Sequence, residues 1–257
     1  MKVTILGSSG SLGSPDNPAS GYLLEAGGMP GLIMDLGPGA LARLQTLTDP
    51  ATCHVALSHL HADHCLDFPS LMVWRRFHPT HAARTRSQLL GPGPAPVHLG
   101  RLSADDQPDG IDDCSDTFEF TAWEDGRTHH LDALSITPYR AVHPVEAYSL
   151  RIVERDTGAC VVYSGDSGWT PNLVTAAAGA DVFLCEANWG ATSQGKAPDM
   201  HLCGAEAGTA ARLAGVGRLV IVHVPPWEDP EDAVAAARRE FDGPVEFGAP
   251  GATYTTG

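Results

Sequence analysis

At 257 residues with a formal net charge of −15, the chain is acidic enough to repel polyanions at long range, and its 43% hydrophobic content allows a sizeable core. No stretch approaches the length of a membrane span, and the basic patch of Arg75, Arg76, Arg84, Arg86 and Arg101 is too thin to favour long RNA or DNA. The six cysteines show no CxxC pair and no disulfide-like spacing, so a reducing cytoplasm is the expected setting.

Val3–Leu6 predicts a strand, followed by the loop Gly7–Ser20. That loop begins Gly7-Ser8-Ser9-Gly10-Ser11-Leu12-Gly13, which looks like a dinucleotide-binding turn. Such a turn must open directly into a helix, and Pro15 and Pro18 prevent one, so the loop reads as a flexible border of the active site. Tyr22–Ala26 and Leu32–Asp35 read as paired strands, Ala40–Leu47 as a short helix and His54–Ser58 as a buried strand. Leu66–Phe77 has helical spacing. Residues 78–115 read as loop-rich, with Gly91-Pro92-Gly93-Pro94 preceding a strand at Val97-His98-Leu99.

Further strands are expected at 117–122, 134–141, 148–153, 160–164 and 182–186, with Arg155-Asp156-Thr157-Gly158 as a hairpin turn. Ala205–Ala214 and Glu231–Phe241 read as helices that flank a strand at 218–223, and Val245–Phe247 as a closing strand. Strands come mostly first and mostly paired, with helices appended. This pattern fits a layered α/β sandwich better than a doubly wound sheet, and no linker splits residues 1–257 into two domains.

The chemistry concentrates in His59-Leu60-His61-Ala62-Asp63-His64, directly after the apolar run Val55-Ala56-Leu57. At an extended strand end His59 and His61 project to one side, and a turn after Ala62 can bring Asp63 and His64 to the same point. Imidazoles and a carboxylate so arranged can serve two adjacent cations. The alternative is a solvated histidine-rich loop. Three more candidate ligands follow predicted strands: His143, Asp166 and His223.

Together these seven residues resemble the ligand pattern of the metallo-β-lactamase fold hydrolases, in order and with none missing. The resemblance implies a single-domain, four-layer αββα sandwich with the site at its edge. It also implies that His59, His61 and His143 hold one cation, that Asp63, His64 and His223 hold the other, and that Asp166 bridges them. The expected cofactors are two divalent metal ions, zinc first, with manganese or iron also fitting.

Leu184-Cys185-Glu186-Ala187-Asn188, then His201 and His223-Val224-Pro225-Pro226-Trp227, are similar to the ribonuclease Z-like branch. Cys185 stands where that branch has a histidine, and Asn188 where it has a threonine. Segments such as Val73-Trp74-Arg75-Arg76 and Ile111-Asp112-Asp113-Cys114-Ser115-Asp116 resemble the actinobacterial atypical class II cyclic-nucleotide phosphodiesterases. The implied reaction is hydrolysis of 3′,5′-cyclic AMP to 5′-AMP by a water shared between the metals, with Asp63, His201 and Glu186 as catalytic residues and His201 as the general acid. The alternative role for His201 is to cap the following helix, and for Glu186 to form a surface ion pair.

The tRNA-processing members carry a long arm between the positions of His143 and Asp166. Here only 22 residues intervene, so a small phosphodiester is favoured over tRNA. The rival readings are a tRNA 3′-end endonuclease and a thioester or lactone hydrolase on the same ligand set. The resemblance is also compatible with a homodimer. The sequence assigns Ser8, Ser9, Ser20 and Trp227 only as candidate substrate contacts, and Arg75 and Arg76 as surface or subunit-interface residues.

Overall fold

In the computed structural model, which describes residues 1–104, 106 and 109–256, the apolar runs form two seven-stranded sheets. The first half contributes β1 (Lys2–Gly7), β2 (Gly21–Glu25), β3 (Leu32–Leu36), β4 (His54–Ala56), β5 (Ser87–Gly91) and β6 (Phe118–Ala122). The second contributes β7 (His129–Leu131), β8 (Leu134–Arg140), β9 (Tyr148–Glu154), β10 (Cys160–Tyr163), β11 (Val182–Glu186), β12 (Leu219–Val222) and β13 (Val245–Phe247). The last strand, β14 (Thr253–Thr255), returns to pair with β1. The spatial orders are β14-β1-β2-β3-β4-β5-β6 and β13-β12-β11-β10-β9-β8-β7. Pairing is parallel from β3 to β6 and from β10 to β13, and antiparallel elsewhere.

Side-chain alternation explains the layers. Val3, Ile5, Tyr22, Leu24 and Met34 meet Val161, Tyr163, Leu184, Val220 and Val222 between the sheets. The alternate residues Leu23, Ile33, Val55 and Leu89 pack outward with buried residues of α1 (Ala40–Leu44), α3 (Phe68–Phe77) and α4 (Ala95–Ser103). On the other side, Val162, Phe183, Leu219 and Ile221 pack with α5 (Pro171–Ala177), α6 (Gly204–Ala214) and α7 (Pro230–Arg238). The result is the αββα sandwich, a single domain. Among the described residues no helix is long and apolar enough to cross a membrane.

One expected strand is a helix. Val97-His98-Leu99 lies inside α4, and the strand of that region is β5, upstream. Pro94 and Pro96 at the start of α4 preset helical φ where N–H groups lack intrahelical partners, and Ala95 and Leu99, four apart, form its buried stripe. Residues 105, 107 and 108 of the expected loop lie outside the described residues. The strands β7 and β14 and the helix α5 had no counterpart in the sequence reading. The Arg155–Gly158 turn does join β9 to β10 as a hairpin, with Gly158 at φ 74°.

Arg75 is neither on the surface nor at an interface. It is fully buried, and its guanidinium donates to the carbonyls of Ala51, Thr85 and Thr117 and to Ser87 Oγ while stacking 4.2 Å over Phe118. It ties α3 to β5 and to the turns on either side. Burial pushes its pKa down to about 10, and among the described residues no carboxylate accepts from it. Arg76 instead pairs with Asp112 and Asp116 on the surface side of α3. Arg75→Leu leaves several buried carbonyls without donors and is expected to cost about 3 kcal/mol, or a fall in melting temperature of roughly 6–12 °C. Differential scanning calorimetry checks this, and Arg75→Lys, lacking the planar fork, is expected to recover only a fraction of the loss.

Candidate dinuclear metal centre

The centre forms where strands end. The segment after β4 carries His59 and His61, and the one-turn helix α2 (Ala62–Cys65) then presents Asp63 and His64. His143 follows β8, Asp166 follows β10, Glu186 ends β11 and His223 follows β12. Ligands commonly gather at the carboxyl ends of parallel strands, because the connections there leave the sheet.

All seven candidate ligands converge. His59 Nε2 and His61 Nδ1 are 3.1 Å apart, and His143 Nε2 is 3.1 Å from the same His61 nitrogen. His223 Nε2 lies 3.2 Å from His64 Nε2 and 3.1 Å from Asp63 Oδ2. Asp166 stands between the groups: Oδ2 is 3.6 Å from His59 and 3.5 Å from His223, and Oδ1 is 3.3 Å from His64. Donors bound at about 2.0–2.1 Å around a tetrahedral ion are separated by roughly 3.3 Å, so both sets have the span of a metal cage.

Hydrogen bonds select the tautomers that a metal requires. Ser58 Oγ donates to Asp35 Oδ2 at 2.6 Å and accepts from His59 Nδ1 at 3.0 Å, which leaves the His59 Nε2 lone pair facing the cluster. His64 Nδ1 donates to Asp35 Oδ2 at 2.8 Å, and His143 Nδ1 donates to the Met200 carbonyl at 2.8 Å. Burial holds the pKa values of His59, His61 and His143 below the usual imidazole range, which keeps them in the neutral, ligating form. Lone pairs aimed at one another from so close call for a cation between them.

The second set supplies the complementary signal. Burial works against the His64 imidazolium, yet Asp166, Asp63 and Asp35 outweigh it and hold the pKa well above the ordinary value. That position favours positive charge. Burial likewise opposes the Asp166 carboxylate, but His223, His64 and His59 hold its pKa well below the usual range, and its buried Oδ1 has no hydrogen-bond partner among the described residues. Four buried carboxylates, Asp35, Asp63, Asp166 and Glu186, share this small volume. They need more positive charge than the neutral imidazoles provide, and divalent cations fit.

Asp35 is the functional residue that the sequence reading missed. It is fully buried and accepts from the Ser58 backbone N–H, Ser58 Oγ, His64 Nδ1 and Tyr163 OH, all within 2.8 Å. Between β2 and β3 the register slips: Tyr22 pairs with Met34 but Gly21 pairs with Leu36, which leaves Asp35 as an extra, bulged residue at φ 55°. Ile33 and Leu36 both pack outward, and the bulge turns the carboxylate toward the site. The available signal was a charged residue inside the apolar run Leu32-Ile33-Met34-Asp35-Leu36, since a buried carboxylate must have partners.

Beside the cluster, His201 Nδ1 donates to Glu186 at 3.1 and 3.2 Å from its two oxygens, and lies 3.8 Å from Asp166 Oδ2. Glu186 is fully buried and also accepts from the backbone N–H groups of Ser167 and Asn188. Burial lowers the His201 pKa, but the charge and hydrogen bond of Glu186, with Asp166 behind them, prevail and lift it to about 9. The alternative roles fail: Cys203, not His201, is the N-cap of α6, and Glu186 forms no surface ion pair.

The glycine-rich loop is held against the site. Gly10 N–H donates to the Val224 carbonyl and Val224 N–H to the Ser8 carbonyl, which braces His223 in a left-handed conformation at φ 54°. A Cβ at Gly10 would lie 2.6 Å from the His223 carbonyl oxygen, so only glycine allows this approach. Ser8 is buried with its hydroxyl donating to the Gly248 carbonyl, which removes it as a substrate contact. Ser9 and Ser20 are buried too, and Trp227 is 65% exposed.

The beta-lactamase superfamily domain matches residues 32–224. An uncharacterized protein of Mycobacterium leprae is 50% identical over 256 residues, covering 99% of this chain and 88% of the relative. Ribonuclease Z of Mycobacterium marinum is 29% identical over 274 residues, covering 96% of each. The crystal structure of the metallo-beta-lactamase fold protein YhfI from Bacillus subtilis superimposes with a TM-score of 0.85 at 24% identity, over 98% of both chains.

Proposed function

The chain belongs to the beta-lactamase superfamily, and from that premise we propose that it is a dinuclear-metal phosphodiesterase that hydrolyses a small phosphodiester, 3′,5′-cyclic AMP to 5′-AMP. The observation that carries this reading is the His201–Glu186 pair beside Asp166. Cleaving a phosphodiester expels an alkoxide that needs a proton, whereas a thiolate leaves without one, so a proton donor favours the phosphodiester over the thioester alternative. Two observations support a small substrate over tRNA. Between His143 and Asp166 the chain forms only the β9–β10 hairpin, and the net charge is −15.

Bound at the two donor sets, divalent cations, zinc first, would supply Lewis acidity and an acidified water. His59, His61 and His143 would hold one; Asp63, His64 and His223 the other; Asp166 would span both. Asp35 and Ser58 lock the His64 and His59 tautomers. Asp63, kept ionised by His64 and His223 against the effect of burial, can accept a hydrogen bond from the attacking water. Glu186 holds His201 through Nδ1, leaving Nε2 to protonate the departing 3′ oxygen. Six free, buried cysteines support a reducing cytoplasmic setting.

Purified protein presented with cyclic AMP, cyclic GMP, precursor tRNA and a thioester is expected to release 5′-AMP fastest. Accurate tRNA cleavage without cyclic-AMP turnover, or preference for the thioester, would overturn the proposal. The pH profile offers a second handle. His201 keeps its proton up to about 9, so the rate is expected to fall on the alkaline side as pH rises through that value. In Glu186→Gln the main stabiliser of the imidazolium is gone, and the alkaline limb is expected to move to lower pH. A limb that stays in place in the variant would remove Glu186 from this role.

A further inference from the structure

A recess adjoins the metal cluster through His61. Its volume is about 280 Å³, and its lining is almost wholly apolar. Three segments converge there: Leu60 and His61 from the metal motif, Pro92, Pro94 and His98 from the turn and first residues of α4, and Val145 and Glu146 just beyond His143. His61 is thus common to both. Its Nδ1 faces His59 and His143, and its ring borders the recess.

We propose that the recess is the base-binding subsite of the enzyme and that it takes the purine of a 6-amino purine cyclic nucleotide; the inference rests on the phosphodiesterase reading above. The space equals that of about nine waters, enough for a bicyclic base and too little for a whole nucleotide. Two proline rings with Leu60 and Val145 make rigid apolar walls that lose little freedom when a flat ring enters. Glu146 then supplies the polar selection. Its Oε1 accepts from Tyr148 OH at 2.9 Å and from Gly93 N–H at 3.3 Å, which orients the carboxylate, while Oε2 takes no hydrogen bond from the described residues. A carboxylate at the edge of this apolar recess offers an acceptor to one exocyclic amino group. The same carboxylate repels an anion, so the phosphate belongs at the metals and the base in the recess. An acyl chain offers no donor to it.

The test compares wild type with Val145→Trp, which fills the recess from a position already 37% exposed. Substrates are cyclic AMP, its analogue lacking the 6-amino group, and base-free ribose 3′,5′-cyclic phosphate. The variant is expected to raise KM for cyclic AMP about tenfold or more, and to raise KM for the base-free compound far less. Wild type is expected to prefer cyclic AMP over the deamino analogue by about tenfold, and Glu146→Gln to narrow that gap. Calorimetric titration with 5′-AMP is expected to show the same weakening without reference to turnover. If Val145→Trp loses activity on every substrate, His98→Trp fills the recess from the opposite wall and decides the matter. Unchanged KM for cyclic AMP in the filled variants, with wild-type hydrolysis intact, overturns the subsite alone. Failure of wild type to hydrolyse any cyclic phosphate overturns the phosphodiesterase reading, and this proposal with it.

Discussion

Asp166→Ala is expected to reduce turnover of cyclic AMP by about 10³-fold or more and to lower the metal content from about two ions per chain. The carboxylate reaches both donor sets, through Oδ2 to His59 and His223 and through Oδ1 to His64. Asp166 would contribute a carboxylate oxygen to each donor set, so its removal would weaken the hold of both sets on their cations. Paired cations stabilise transition-state charge by several kcal/mol, and at about 1.4 kcal/mol per decade this converts to the stated loss. Elemental analysis together with steady-state kinetics measures both effects. A variant that kept two ions and near-normal turnover would show that Asp166 is no bridge. Circular dichroism guards against the trivial outcome of an unfolded chain.

His201→Ala is expected to have a different signature: full metal content, and a loss of about 10²-fold or more in kcat on cyclic AMP. The imidazole sits beside the cluster and donates to Glu186, so its absence should leave the ligands in place. The loss should depend on the leaving group. Cyclic AMP expels a sugar alkoxide that needs the proton, whereas bis-p-nitrophenyl phosphate expels a phenolate that departs without one. The variant should therefore retain far more of its activity on the nitrophenyl ester than on cyclic AMP. Equal losses on the two substrates would point to a structural role for His201 instead of proton transfer.

The two variants probe features that were unequally visible in the chain. The seven candidate ligands could be picked out because each follows an apolar strand-forming run, and a strand end is a place that local patterning can locate. Asp35 could not be placed in the same way. Strict alternation assigns it to the outward face with Ile33, and only the bulge against β2 reverses that. Arg75 and Arg76 are adjacent in a basic pair, yet one is buried among carbonyls and the other pairs with surface aspartates. Nothing local distinguishes them, because their partners come from segments 10 to 42 positions away.

The helix α4 shows the reverse difficulty. Val97-His98-Leu99 between loops resembles a short strand, and a three-residue window cannot weigh β-branching against two prolines that start a helix. Proximity in sequence was enough to establish the order of the elements, the layered class and the donor types of the metal motif, since hydrophobic period and residue chemistry are local properties. The convergence of Asp35, His143, Asp166, Glu186 and His201 on one point, the tautomers locked there, and the recess beside His61 depend on sheet pairing and packing between distant segments. Those relations are long-range, and they arise only when the two sheets close on one another.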